Sequence, residues 1–151
     1  MKRLITIAIL GLVTICMACS FSHEFVVVNE SSQPVDVQYR VKEFEGRFSP
    51  PELPATLPSS QLKPREHHQW ISLAENRYRI DAEYRTVSVR ILPGEALLIA
   101  TLHNYGGSDG KGFPLDRIEV RGVNGVQNFT DSQVLRAFSD VSISLHTLTY
   151  R

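Results

Sequence analysis

The residues able to do chemistry are few and scattered. Gly106-Gly107-Ser108-Asp109-Gly110 fits G-x-S-x-G, the spacing that lifts a serine nucleophile onto a strained turn between a strand and a helix. A strand is available before it. Gly110, Gly112 and Pro114 deny the helix after it, so the segment reads as a glycine-rich loop with no catalytic residue. His67-His68 is the one adjacent histidine pair. Neighbouring residues point to opposite faces of a strand and diverge by about 100° on a helix, so the pair is a poor chelate by itself. His23, His103 and His146 lie far apart, and no spacing among them points to zinc. Asp109 and Asp116 lie around the glycines without the alternating oxygen ligands of a calcium loop. The remaining Asp and Glu offer no identifiable acid–base pair. No metal, no cofactor and no enzymatic activity are therefore expected.

Two further patterns bear on partners. Asn29-Glu30-Ser31 and Asn128-Phe129-Thr130 match the glycosylation acceptor, which acts only in a eukaryotic secretory host. Between Lys63 and Arg90, six basic residues interleave with Trp70, Tyr78 and Tyr84, a mixture that serves polyanion or sugar binding. Glu66, Glu75, Asp81 and Glu83 share that window, and alternation puts most of its arginines on the face opposite the tyrosines. A solvated, charged strand face is the expectation.

The elements that would hold these residues read as strands. Phe25 to Val28 is a β-branched run closed by the polar cluster Asn29 to Ser32. Val35, Val37, Tyr39 and Val41 then alternate with Asp36, Gln38, Arg40 and Lys42, the period of a strand with one wet face. The two runs are expected to pair as an antiparallel hairpin through the 29–34 turn. Pro50, Pro51, Pro54, Pro58 and Pro64 make 48–64 a proline-rich loop, because proline lacks the ladder donor. Tyr78, Ile80, Ala82 and Tyr84 alternate with charged residues, and the parity flips at Val87, which predicts a β-bulge. Ala96 to Ala100 is apolar throughout and predicts a strand buried on both faces. The segment 103–114 is a glycine-rich loop, and Ile118 to Val120 is a short strand ended by Gly122 and Gly125. Thr130-Asp131 caps one short helix near 131–138, with Val134, Leu135 and Phe138 on one face. Val141, Ile143 and Leu145 belong to a single terminal strand. The expected fold is mainly β: an Ig-like β-sandwich, or a small β-barrel, of about 7–8 antiparallel strands with that one helix.

The chain has 151 residues, 42% of them hydrophobic, which is enough for one domain with a real core. Its 16 Lys+Arg balance 16 Asp+Glu, so no nucleic-acid partner is expected. Residues 1–18 combine a basic start (Lys2, Arg3), an uncharged run from Leu4 to Ile15 and small flanking residues, the layout of a signal peptide. Ile15-Cys16-Met17-Ala18-Cys19 resembles the lipobox of bacterial lipoprotein precursors. That resemblance implies cleavage between Ala18 and Cys19 and lipid attachment at Cys19, with acyl chains such as palmitate. Ser20 rather than Asp after the cysteine implies the outer membrane, facing the periplasm. Ordinary signal-peptidase cleavage, after Ala18 or after Ser20, is the rival reading. Losing Lys2 and Arg3 would leave 14 basic against 16 acidic residues, a net charge of −2.

The expected organisation is a signal peptide over 1–18, a lipidated tether over 19–23 and a single sandwich domain over 24–151. The expected function is a lipid-anchored cell-envelope protein that binds or scaffolds a partner without catalysis. Its membrane contact would be the N-terminal lipid anchor, with an envelope protein as a further partner. A small envelope hydrolase and an envelope inhibitor or immunity-type protein are the alternatives. The first would need a pocket of perturbed titratable groups, the second a protruding contact loop.

Overall fold

The computed structural model describes residues 22–42, 53–66, 68–103 and 112–151. The signal peptide, Cys19, His67 and the G-x-S-x-G segment lie outside the described residues, as do Pro50 and Pro51. The described chain is a sandwich of two β-sheets with one short helix. Sheet A takes the order β10-β11-β1-β7-β3-β4 and sheet B the order β5-β6-β2-β8-β9. The strands are β1 (Ser22–Asn29), β2 (Val35–Val41), β3 (Ala55–Pro58), β4 (Ile71–Ser72), β5 (Tyr78–Asp81) and β6 (Thr86–Ile91). They continue with β7 (Glu95–His103), β8 (Leu115–Gly122), β9 (Gly125–Thr130), β10 (Ser139–Ser142) and β11 (Leu145–Tyr150), and α1 is Ser132–Arg136. Eleven strands thus replace the expected seven or eight among the described residues, and β1 pairs with β11 in parallel. Two residues of the expected tether, Ser22 and His23, already belong to β1.

β1 and β2 do not form a hairpin; they lie in different sheets. Their burial explains why. In β1, Phe25 and Val27 face the core between the sheets, while Val26 and Val28 join a second apolar cluster with Leu57, Ala96, Leu98 and Leu145. Leu62 and Trp70 pack over that second cluster. A strand buried on both faces needs a covered sheet, whereas β2, alternating buried and exposed, suits a sheet with one wet face. β7 is buried from Ala96 to Ala100, as expected. The β-bulge falls opposite Phe25/Val26, where Ile99 and Ala100 both turn into the core.

Several local expectations are corrected. Ala55–Pro58 is a strand inside the supposed proline loop, and Ala55 and Thr56 pair on both edges, with β4 and β7. Pro54 precedes that doubly paired stretch and Pro58 ends it, so neither has to donate within it. The parity flip at Val87 is a hairpin between β5 and β6. Its turn is held by the Tyr84 amide donating to Asp81 Oδ1 (3.1 Å) and by a positive φ of 52° at Arg85. The segment after Gly122 is a further strand, β9. The terminal strand is two, β10 and β11, folded at residues 143–144. The helix is shorter than expected and has no side-chain cap, although Val134 and Phe138 are buried as predicted.

Polar links join the sheets where β1 ends. Asn29 is fully buried. Its amide donates to Gln33 O (2.8 Å), and its Oδ1 accepts from the Ser31 amide (3.0 Å) and hydroxyl (2.7 Å). Tyr150 Oη accepts from the Asn124 amide and donates to Gly125 O, both at 3.0 Å, tying β11 to the β8–β9 turn. Its ring lies so close to Gly122 that an added Cβ would meet it at 2.7 Å. Arg77, before β5, holds the Glu95 carboxylate at the start of β7 through both guanidinium nitrogens. Burial alone would raise the Glu95 pKa; hydrogen bonds from Arg77 and the Leu92 amide, with the Arg77 charge, bring it below the ordinary range.

The two glycosylation-type asparagines therefore differ completely. Asn29 is sealed in the core, so it is no acceptor, while Asn128 lies exposed on β9. Asn29→Ala is expected to cost about 2–3 kcal/mol in urea denaturation, because it strands buried partners. Asn128→Ala should stay within about 0.5 kcal/mol of the wild type.

Candidate functional site

Three polar constellations stand out, and the fold assembles each from distant residues. The first is a chain of Asp140, His146 and His23. Parallel pairing of β1 and β11 sets Phe25 opposite His146, so His23 and His146 share the core-side face near the start of β1. His146 Nδ1 lies 2.6 Å from Asp140 Oδ1, and its Nε2 lies 3.1 Å from His23 Nδ1. The His146 ring stacks on Phe25 at 4.5 Å, and Phe25 packs edge-on against Phe113 and Phe138. The orienting carboxylate of a catalytic dyad is thus present, but a second imidazole takes the place a nucleophile would occupy. The contact between the rings is a hydrogen bond only while one of the two facing nitrogens lacks a proton. The arrangement closes the end of the aromatic core.

The second constellation is a clamp on the outer face of sheet A. Glu24 Oε1 accepts from Trp70 Nε1 (2.9 Å), and Oε2 lies 2.5 Å from His68 Nδ1. The Lys63 amide donates to His68 Nε2 at 3.1 Å. An Nε2 that accepts carries no proton, so Nδ1 holds it and donates to Glu24. Both nitrogens of this nearly buried ring are occupied, which suits a clamp and not a ligand set. Among the described residues no group of three or more His, Cys, Asp or Glu is placed to hold a metal ion.

The third is the outer face of sheet B, over which no element among the described residues packs an apolar cluster. Register lays its outward residues in rows. Arg79, Ser88, Gln38, Glu119 and Asn128 form one row, and Asp81, Thr86, Arg40, Arg117 and Thr130 the next. Arg90, Asp36 and Arg121 continue the pattern. Some charges are matched: Arg40 Nε meets Asp116 at 2.7 Å, and Glu119 takes Arg117 (3.0 Å) and Arg121 (2.7 Å). Arg40 and Arg117 nevertheless stand directly opposite each other, a like-charge pair that disfavours the sheet. Arg117 Nε is buried with no hydrogen-bond partner.

Two shallow clefts lie side by side on this face. One of about 310 Å3 includes Arg79, Asp81 and Ser88; the other, about 190 Å3, includes Arg40 and Arg117. Gln38, Tyr84 and Thr86 line both. The sequence reading placed the tyrosines opposite the arginines. Tyr78 does pack toward the core, but the β5–β6 turn carries Tyr84 to the arginine side, where it is 64% exposed. Its convergence with Arg79, Arg40 and Arg117 had no signal beyond the parity flip. His23 and His146 are 123 positions apart and had none at all.

Comparison with protein-family models, with curated proteins and with solved structures finds no match, so the site speaks through its own chemistry.

His23 titrates below the ordinary imidazole range, first because of burial and then because of His146, against the opposing pull of Asp140. The unfolded chain takes up this proton near pH 6.5, before the folded chain does. Stability from this group is thus complete above pH 6.5 and declines as the pH falls from there through the lowered folded value. The urea midpoint should drift down over that window, and His23→Gln should flatten the drift.

Proposed function

We propose that this protein is a lipid-anchored component of a bacterial cell envelope whose β-sandwich is a non-enzymatic binding module. The anchor is Cys19, freed by cleavage after Ala18, and the module faces the periplasm from the outer membrane. The binding surface is the outer face of sheet B. One observation carries this reading: the two sheets are treated differently. Sheet A covers its outer face with its own chain, through Leu62, Trp70 and the Glu24 clamp. Among the described residues sheet B leaves its outer face open and gathers arginines there, with Arg40 and Arg117 directly opposite each other beside the carboxylates they pair with. Natural sheets accept such local conflict chiefly at functional sites. A thioether-linked diacylglycerol supplies the two chains that stable anchoring needs.

Two measurements test the two halves. Cells fed an alkyne-bearing palmitate analogue should label the wild-type chain and leave Cys19→Ala unlabelled; an unlabelled wild type removes the anchor. A photo-crosslinking residue at Gln38 should give a discrete adduct in intact cells, and the same residue at the exposed Ile143, in the β10–β11 turn of sheet A, a weaker one. Equal or absent adducts remove sheet B as the binding surface.

A further inference from the structure

We infer that the paired clefts on sheet B form one saccharide-binding groove, selective for a sugar chain that carries carboxylates. The inference rests on reading the outer face of sheet B as the binding surface and names the ligand class that surface takes.

The groove crosses the strands. From Arg79 on β5 through β6 and β2 to Arg117 on β8 it runs three strand spacings, about 14 Å at ~4.8 Å each. A bound chain would therefore lie across the strands rather than along them. Tyr84 stands where the two clefts meet and is largely exposed. An exposed aromatic with an apolar body and a polar tip gives a sugar ring a flat face to rest on without denying its hydroxyls water. Gln38 offers both donor and acceptor, Thr86 is a hydroxyl common to both clefts, and Asp81 is an acceptor in the larger one. That mixture matches the alternating donors and acceptors of sugar hydroxyls.

Charge sets the selectivity. In the smaller cleft Arg40 and Arg117 lie side by side across β2 and β8. Arg40 gives its Nε to Asp116, which leaves its Nη groups for a ligand carboxylate, and guanidinium forks bind planar carboxylates in bidentate fashion. Arg117 gives its Nη2 to Glu119, which leaves Nη1 for the same ligand group. At the other end Arg79 repeats the cationic group one strand spacing beyond Ser88. Asp81 beside Arg79 argues against a uniformly charged polyphosphate, because a bare anionic chain would have to pass it. A sugar polymer with intermittent carboxylates meets both the cations and the acceptor. Among the described residues the groove's lining offers one carboxylate, Asp81, where glycoside cleavage takes two, so the site holds the chain without cleaving it.

The test is calorimetric titration of the full chain, held in a non-glycosidic detergent, with three probes: short oligogalacturonates, neutral oligogalactosides of equal length, and inorganic phosphate. Oligogalacturonate should bind about tenfold or more tightly than the neutral chain, and added salt should weaken it. Tyr84→Ala should weaken it about tenfold. Arg117→Gln and Arg79→Gln should erode the preference for the acidic over the neutral chain while leaving the circular dichroism spectrum unchanged. Arg79 is the safer substitution, because it is exposed and makes no ion pair among the described residues.

Failure to bind oligogalacturonate, with a Gln38 crosslink still formed, overturns the ligand class and leaves the binding face standing. Loss of the crosslink as well removes both. Binding that survives Tyr84→Ala and both arginine substitutions places the sugar elsewhere and overturns the groove. Phosphate that competes as well as the sugar acid reduces the site to a simple anion patch and overturns it too.

Discussion

β1 has no side open to water along its buried half. One edge pairs with β7 and the other with β11, and its faces are covered by the inter-sheet core and by the 59–70 segment. Burying a valine side chain is worth about 1.5–3 kcal/mol, and Val26 and Val28 realise that gain only while Leu62 and Trp70 stay in place. The Glu24 clamp is therefore structural in origin. It satisfies two partly buried donors and fixes the lid over the strand on which both clusters depend. The same arrangement covers the middle of sheet A's outer face with the protein's own chain.

No cysteine lies beyond Cys19, so the sheets are held together without a disulfide. Polar links take that role at the end where β1 finishes. Asn29, Tyr150 and the Arg77–Glu95 pair each bridge elements of both sheets through satisfied hydrogen bonds. The opposite end is closed by stacked and edge-on rings, Phe25, Phe113, Phe138 and His146. The two ends consequently respond differently to pH. Acid that protonates Glu95 loosens the first, while neutral-to-acid passage adds unfavourable charge at His23 in the second.

The mainly β class was legible because two patterns are hard to mimic. Val35 to Lys42 alternates over its whole length, and Ala96 to Ala100 is apolar on both faces; both became the strands they describe. Turns were the weak point. The β5–β6 turn uses Ala82, Glu83 and Tyr84, which carry no turn signature, and Ile80 before it is 49% exposed, so apolar alternation ran through the bend unmarked. Ala55 to Pro58 was hidden by its prolines, whose place at the ends of the strand cannot be seen without its partners. The site followed the same rule. The arginines of sheet B were visible as a charged face, because strand parity fixes direction. Tyr84 joined them only through the turn, and the His23–His146 contact only through a pairing between the two ends of the domain.

That pairing also governs when the domain comes into being. The strand that seals this edge of β1 lies far from it in sequence, and Glu24 meets Leu145 across the pairing. A partly folded chain therefore carries β1 with one edge bare until β11 is in place. Contacts this distant in sequence form late, since loop closure has to precede them. Until β11 docks, the backbone donors and acceptors along that edge of β1 have no strand to pair with, so completion of sheet A waits on a contact between distant parts of the chain.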